Sequence, residues 1–450
     1  MDRDRLDSLI VRERATFAGA NPKSLAAFES AKGSLFGGVP MTWMVKWSGG
    51  FPLFLRGAKG NRIDDIDGHT YIDLALGDTG AMAGHSPEPT LRALDERLKA
   101  DGGITTMLPT EDAEWVGEEL TRRFGLPLWS FSLTATDANR WALRLARLVT
   151  GRPKVLAFSY CYHGSVDETV AIIGPAGETL ARPGSVAPQV DPAETTRMAE
   201  FNDLTSVERA LSEGDVAVVI TEPALTNIGI VLPEPGFLEG LRELCTRYGA
   251  LLLIDETHTF SAGPGGMTAR DGLQPDIFVI GKSIAGGVPI GAFGITHEVA
   301  AMIESHDEVD IIDVGGVGGT LAGNAMSMAA ARATLGEVLT DEAFERMIEL
   351  ADRYTRGVQE SLDRHDVPWS ISQLGARAEY RFTRPAPTSG TASAAAGDDD
   401  LDEYVHLYAM NRGILLTPFH NMALMCPTTS EGDVDRHTEV FAEAVSELFG

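Results

Sequence analysis

The chain has 450 residues, 44% hydrophobic and 23% charged, a balance that fits a folded globular protein with room for one large domain and one smaller one. Its 37 Lys and Arg stand against 65 Asp and Glu, and a formal charge of −28 argues against nucleic acid or an anionic membrane as the main partner. Cys161, Cys245 and Cys426 are too few for a disulfide framework and too scattered for a CxxC metal or redox motif, so no metal is expected. The N-terminus, Met1-Asp2-Arg3-Asp4-Arg5, is charged and leads into no apolar segment of signal-peptide length, and no apolar run is long enough to span a membrane. A cytoplasmic location is expected.

Residues 1–32 read as a charged helical arm. Strand-like runs follow at Pro52–Arg56, Asn61–Asp65 and Tyr71–Leu76, and Asp67-Gly68 between the last two signals a hairpin. From about residue 85, helical stretches alternate with short unbroken apolar runs: Lys154–Phe158, Val216–Thr221, Leu251–Asp255 and Ile277–Ile280. That alternation predicts a largely parallel sheet buried on both faces, with its ligands at the carboxyl ends of the strands. Beyond about residue 330, long amphipathic helices (Asp341–Asp363, Val434–Phe449) flank weaker strands. The stretch Arg384–Asp400, rich in Pro, Ser, Ala and Gly, reads as a mobile surface loop. The predicted division is an arm and part of a small domain at 1–70, a large α/β domain at 71–330, and a small α+β domain at 331–450.

Lysine is scarce, and Lys282 is the only one after Lys154. It follows the apolar run Asp276–Gly281 and precedes Ser283-Ile284-Ala285-Gly286-Gly287. Lost hydration at such a strand end favours the neutral, nucleophilic form of an amine, and the glycines let a bulky group approach the backbone. A surface lysine capping a strand is the plain alternative. A nucleotide-binding P-loop is rejected, because Asp276 stands where its first glycine is required. Ala250–Glu256 is a second buried strand ending in acid, and a carboxylate there calls for a cation. A protonated ring nitrogen one crossover away from Lys282 would supply it; capping of the next helix by Asp255 is the other reading.

The pairing of Leu252–Glu256 with Ile280-Gly281-Lys282, joined by Glu222-Pro223, Gly281–Gly294 and Gly319–Asn324, resembles the class III aminotransferases of fold type I. The branch it resembles contains glutamate-1-semialdehyde aminomutase and β-amino-acid transaminases, and the likeness runs from about Phe36 to the C-terminal helix. The resemblance implies a fold type I transferase with pyridoxal 5'-phosphate held as a Schiff base on Lys282 and with Asp255 on the ring nitrogen. By the same resemblance Thr134, Ala135 and Thr136 lie in the phosphate-binding turn, Tyr162 stacks on the ring, Glu222 and Asn227 face the site, and Thr257 lies beneath the cofactor. Thr320 corresponds to a threonine that reaches the partner subunit's phosphate, which implies a homodimer with sites at the interface. Physically, hydroxyls and backbone N–H groups at a helix start suit a phosphate, although an ordinary Thr cap has the same appearance.

This chain departs from the family pattern at Leu133 and Ala135, and at Thr257-His258 after the acidic pair. The segments that carry a substrate-binding arginine in relatives, Pro40–Trp47 and Thr417–Asn421 here, contain none. Trp43, Met44, Trp47, His163, Phe419 and His420 are therefore expected to line an apolar or amphipathic substrate pocket, with Lys46 or His420 as a point charge. The tryptophans and Met44 equally suit packing at a dimer core. The function expected first is ping-pong transamination from an amine or amino acid to a pyruvate-like keto acid. Intramolecular transfer of the aminomutase kind is the alternative, and a silent cofactor-binding protein the reading from another class.

Overall fold

The computed structural model describes residues 1–186, 188 and 190–450 of the chain. It forms two compact units: Glu88–Asp341 with Pro387–Ala395, and Met1–Pro87 with Glu342–Ala386 and Ala396–Gly450. Among the described residues no helix is long and apolar enough to cross a membrane.

The first of these units is built on a seven-stranded sheet. Its spatial order is Leu128–Ser132, Gly291–Ile295, Ile277–Gly281, Leu251–Asp255, Val216–Thr221, Lys154–Phe158 and Thr196–Ala199. Gly291–Ile295 runs antiparallel to both neighbours, and the other pairings are parallel. Every residue of Val216–Thr221 and Ile277–Gly281 is buried, as expected of strands covered on both faces. The four runs read from the sequence fall on four of these strands. The helix Ala135–Thr150 packs across Ile277–Gly281 and Gly291–Ile295 through a stripe of Ala138, Trp141, Ala142 and Leu145.

The other unit begins with helices Arg3–Ala20 and Pro22–Ala31 and contains two small sheets. Leu55–Lys59, Arg62–Asp65 and Thr70–Asp73 form an antiparallel meander, to which Ile414–Leu415 adds in parallel. The predicted hairpin turn is tied by Asp65 Oδ1, which accepts the N–H groups of Gly68 (2.7 Å) and His69 (2.8 Å). Ser370–Leu374, Arg377–Arg381 and Met422–Leu424 make the second sheet. Phe17, Phe28, Val39, Phe51, Tyr71, Leu407, Met410 and Leu415 form a common core.

The predicted domain limits need correction. Thr70–Asp73 pairs with Arg62–Asp65 and Ile414–Leu415, so residues 71–87 belong with the small sheets and the large unit starts at Glu88. The strand expected over Tyr71–Leu76 stops at Asp73, because Asp73 Oδ1 accepts the N–H groups of Ala75 (2.9 Å) and Leu76 (3.0 Å) and bends the chain into an Asx turn. Residues 331–341 stay with the large unit, where the helix Ala325–Ala333 packs on Glu111–Phe124. The stretch Arg384–Asp400 is not an open loop. It contains the helix Gly390–Ala395, with Gly390 and Ser393 buried, and Thr388 O accepts from Asn202 Nδ2 at 2.8 Å. Its composition gave no sign of this because the contacts are made by small residues and backbone.

Candidate active site

Four neighbouring strands end side by side at one edge of the large sheet. Ile277–Gly281 delivers Lys282, Leu251–Asp255 delivers Asp255, Val216–Thr221 delivers Glu222, and Lys154–Phe158 leads into Tyr160–Gly164. The register pairs Asp255 with Val279, so Lys282 lies just beyond its neighbour's acid. Lys282 adopts φ +52°, a left-handed conformation that a side chain enters at a cost, of the kind that collects at functional sites. Its Nζ lies 2.9 Å from His258 Nε2.

Asp255 is buried and accepts four hydrogen bonds: from Thr257 N (3.0 Å) and Oγ1 (2.6 Å) on one oxygen, and from Asn139 Nδ2 (2.8 Å) and His163 Nδ1 (2.9 Å) on the other. Burial alone would raise this carboxyl; His163, Thr257 and Asn139 outweigh it and hold the group below the ordinary aspartate range. Burial likewise opposes charge on His163, yet Cys161 and Asp255 beside it lift the imidazole well above its usual value. The result is a buried carboxyl and imidazole that favour each other's charged form behind the sheet edge. Glu222 behaves differently. Burial pushes it up to about 7, against the charge of His163 and the hydroxyl of Thr226, and Tyr162 N donates to it at 3.4 Å. Two carboxyls on adjacent strands are thus set apart, one anionic and one poised near neutrality.

The helix Ala135–Thr150 starts at the same edge. Thr134 is its cap: Oγ1 accepts from Asp137 N (3.3 Å) and lies 3.1 Å from Asp137 Oδ2. Thr136 Oγ1 accepts from Ser165 N at 3.2 Å, and Gly164, at φ +79°, has no room for a Cβ against Thr136. Thr134 is therefore engaged as both donor and acceptor, whereas Thr136 only accepts and keeps its O–H to give, alongside first-turn N–H groups such as those of Ala135 and Thr136, which have no intrahelical acceptor. Asn227 Nδ2 donates to Tyr160 O at 3.3 Å, which ties the two loops together.

Several expected roles change. His163 was placed in a substrate pocket, but it is 1% exposed and bound to Asp255, so it belongs behind the carboxylate. Thr257 spends both its N–H and its hydroxyl on Asp255. Trp47 is half-buried and packs against the Phe17–Phe51 core of the small unit. His420 is buried against Glu379, with Nδ1 to Oε1 at 3.1 Å. Trp43 and Phe419 do meet, edge to face at 5.4 Å, with Lys46 Nζ 5.5 Å from the Phe419 ring and Met44 exposed nearby in sequence. Thr320 is exposed and lines a cavity of about 580 Å³ with Thr105, Met107, Leu108, Phe131 and Ile312.

Sequence reasoning missed Asn139 and gave His258 no role. The signal for Asn139 was an amide inside an otherwise apolar helix stripe. For His258 it was an imidazole where the turn after Asp255-Glu256 has no evident need of one.

An amine at a strand end, a buried acid on the neighbouring strand and a helix start meet at the carboxyl edge of a mostly parallel sheet, where α/β proteins hold their ligands. The aminotransferase class-III family matches residues 44–445, and the chain belongs to that family. It is 34% identical over 431 residues to a glutamate-1-semialdehyde 2,1-aminomutase of Bacillus licheniformis, covering 94% of this chain and 97% of the relative. The crystal structure of a glutamate-1-semialdehyde aminomutase from Pseudomonas aeruginosa PAO1 in complex with PMP is 45% identical, with a TM-score of 0.97 over 100% of this chain and 99% of that one. An omega-transaminase from Sphaerobacter thermophilus is 28% identical, with a TM-score of 0.85 over 95% and 98%.

Proposed function

We propose that this chain is a pyridoxal-phosphate enzyme that shifts an amino group within one small amino-carbonyl substrate, as its aminomutase relatives are named for doing. Sequence alone put intermolecular transamination first; the 45% identity to an aminomutase over the whole chain supports the reverse order. The observation that carries the reading is the placement of Lys282 beside anionic Asp255 on adjacent parallel strands.

Pyridoxal phosphate, when bound, supplies an aldehyde that takes up the amino group and a ring that draws electrons from the carbon beside it. Lys282 would anchor that aldehyde, then move a proton from the amino-bearing carbon and return it one position away. Asp255, kept ionised by His163, Asn139 and Thr257, would hold a proton on the ring nitrogen. The first-turn N–H groups at Ala135 and Thr136 would bind the phosphate, and Tyr162 would flank the ring. Glu222, near neutrality, would donate or accept at the ring's oxygen side without adding a second full negative charge.

Transamination remains the second reading, because Pro40–Trp47 and Thr417–Asn421 hold no arginine for a substrate carboxylate and Trp43 and Phe419 pack as an apolar pair. The two are separated by supplying glutamate-1-semialdehyde without any keto acid. Conversion to the isomer supports the first reading; conversion only of amines, and only with pyruvate added, replaces it with the second. Borohydride trapping with peptide mapping tests both at once, and a label away from Lys282 ends the case.

A homodimer completes the proposal. Ile104, Met107, Leu108, Ile312, Val314 and Leu321 are exposed around the Thr320 cavity of the large unit, an apolar surface that suits a second copy.

A further inference from the structure

His258 lies on the turn that follows Asp255-Glu256, is 7% exposed, and places Nε2 2.9 Å from Lys282 Nζ. That turn is pinned independently of the cofactor edge. Glu256 is fully buried and accepts from Thr259 Oγ1 (2.6 Å) and Met267 N (3.1 Å), and Ser261 N donates back to His258 O at 3.3 Å. The turn that carries the imidazole is thus tied by its own hydrogen bonds, while Lys282 brings its amine on a long unbranched side chain. Lysine nitrogen has protons to give and no acceptor capacity when charged, so the contact uses His258 with its Nε2 lone pair open.

We propose that His258 is a positioning residue for Lys282: it receives the amine whenever the lysine is not covalently engaged and relays the protons that the amine sheds on bonding. The inference rests on the pyridoxal-phosphate reading above. When Nζ forms its bond to the aldehyde carbon, nitrogen gives up two N–H protons, the C=O bond breaks, and oxygen leaves as water carrying both. Nε2 accepts each proton from nitrogen, passes it to oxygen and returns to the neutral base, so charge and atoms balance over the step. Release of the lysine runs the same sequence backwards.

His258 is faced by Lys282 from the end of Ile277–Gly281. On its own turn, Glu256 is turned into the contacts with Thr259 and Met267, and Asp255 is bound to Thr257, Asn139 and His163. Glu222 interacts with His163 and Thr226. Acceptance by His258 requires the neutral ring, so bonding of Lys282 should slow at acid pH, where an imidazole is protonated.

The test follows the rate at which full-length protein, stripped of cofactor, forms its visible-absorbing bond with added pyridoxal phosphate between pH 5.5 and 9. His258→Met should load at least about tenfold more slowly at neutral pH, and the inflection that marks protonation of the relay should vanish. His258→Gln restores a hydrogen-bond acceptor but cannot titrate, so it should recover part of the rate and none of the inflection. The free cofactor's own ionisation is common to all three proteins and cancels in the comparison. Should His258→Met fail to fold, His258→Gln alone decides through the lost inflection. Equal rates and equal pH profiles for wild type and either variant overturn the proposal while leaving the cofactor reading intact; a wild type that forms no bond at all overturns both.

Discussion

Asp255→Asn probes the buried centre most directly. The carboxylate receives four donors, two on each oxygen, and an amide replaces one oxygen with an NH2 group. Whichever way the amide turns, two donors meet a donor. If it faces Thr257, the hydroxyl can rotate but the backbone N–H cannot; if it faces Asn139 and His163, His163 loses the anion that lifts its pKa. At about 1–3 kcal/mol for each buried donor left without a partner, the expected loss is about 1–3 kcal/mol with one donor stranded and about 2–6 kcal/mol with two. The measurement is urea unfolding of the cofactor-free full-length protein, paired with His163→Phe and the double variant. Coupling between the two sites should be about 1.5–3 kcal/mol, the range of a hydrogen bond to a charged group. Additive losses, or a loss for Asp255→Asn below about 1 kcal/mol, would refute the account of Asp255 as an anion held by its neighbours.

The same wiring sets the pH dependence. Asp255 is depressed, so its contribution is present above the ordinary aspartate range and disappears as pH falls through its lowered value. Glu222 is raised from 4.5 to about 7, so it stabilises the fold below about 4.5, and up to about 3 kcal/mol is lost as pH climbs to about 7; Glu222→Gln should flatten that limb in unfolding titrations. Gly390→Ala places a methyl against the carbonyl of Ser159 and should cost about 1–3 kcal/mol, read as faster protease cleavage within residues 384–400. Ile312→Asp with Val314→Asp should weaken self-association at least about a hundredfold in sedimentation, since each exposed side chain would contribute about 1.5–3 kcal/mol once buried. An unchanged sedimentation coefficient would remove that surface from the dimer proposal.

What the sequence made legible were the parts set by pattern. Unbroken apolar runs gave the parallel strands and, through them, the edge where Lys282, Asp255 and Glu222 stand. Spacing within the chain did not show which groups turn toward one another there. His163 reads as an aromatic-loop polar residue until the register between Lys154–Phe158 and Leu251–Asp255, separated by Val216–Thr221, is known. Thr134 suits a phosphate or a cap equally in the sequence, and its 3.3 Å contact to Asp137 N emerges only from the fold. The segment 384–400 reads as mobile because Gly, Ser and Ala carry little apolar signal, yet small size is what lets Gly390 sit against the Ser159 carbonyl.

The sheet order also constrains how the molecule is made. Leu128–Ser132 emerges first among the seven strands, but its one partner in the sheet is Gly291–Ile295, which emerges last. The helix start at Ala135 hangs from that early strand, whereas Lys282 sits just before the late one. On a ribosome, the anion-binding turn must wait about 160 residues of synthesis for the strand that docks it, a long-range closure of the kind that makes folding slow. Truncated nascent chains ending before Gly291 should therefore carry the central strands without a place to seat the cofactor.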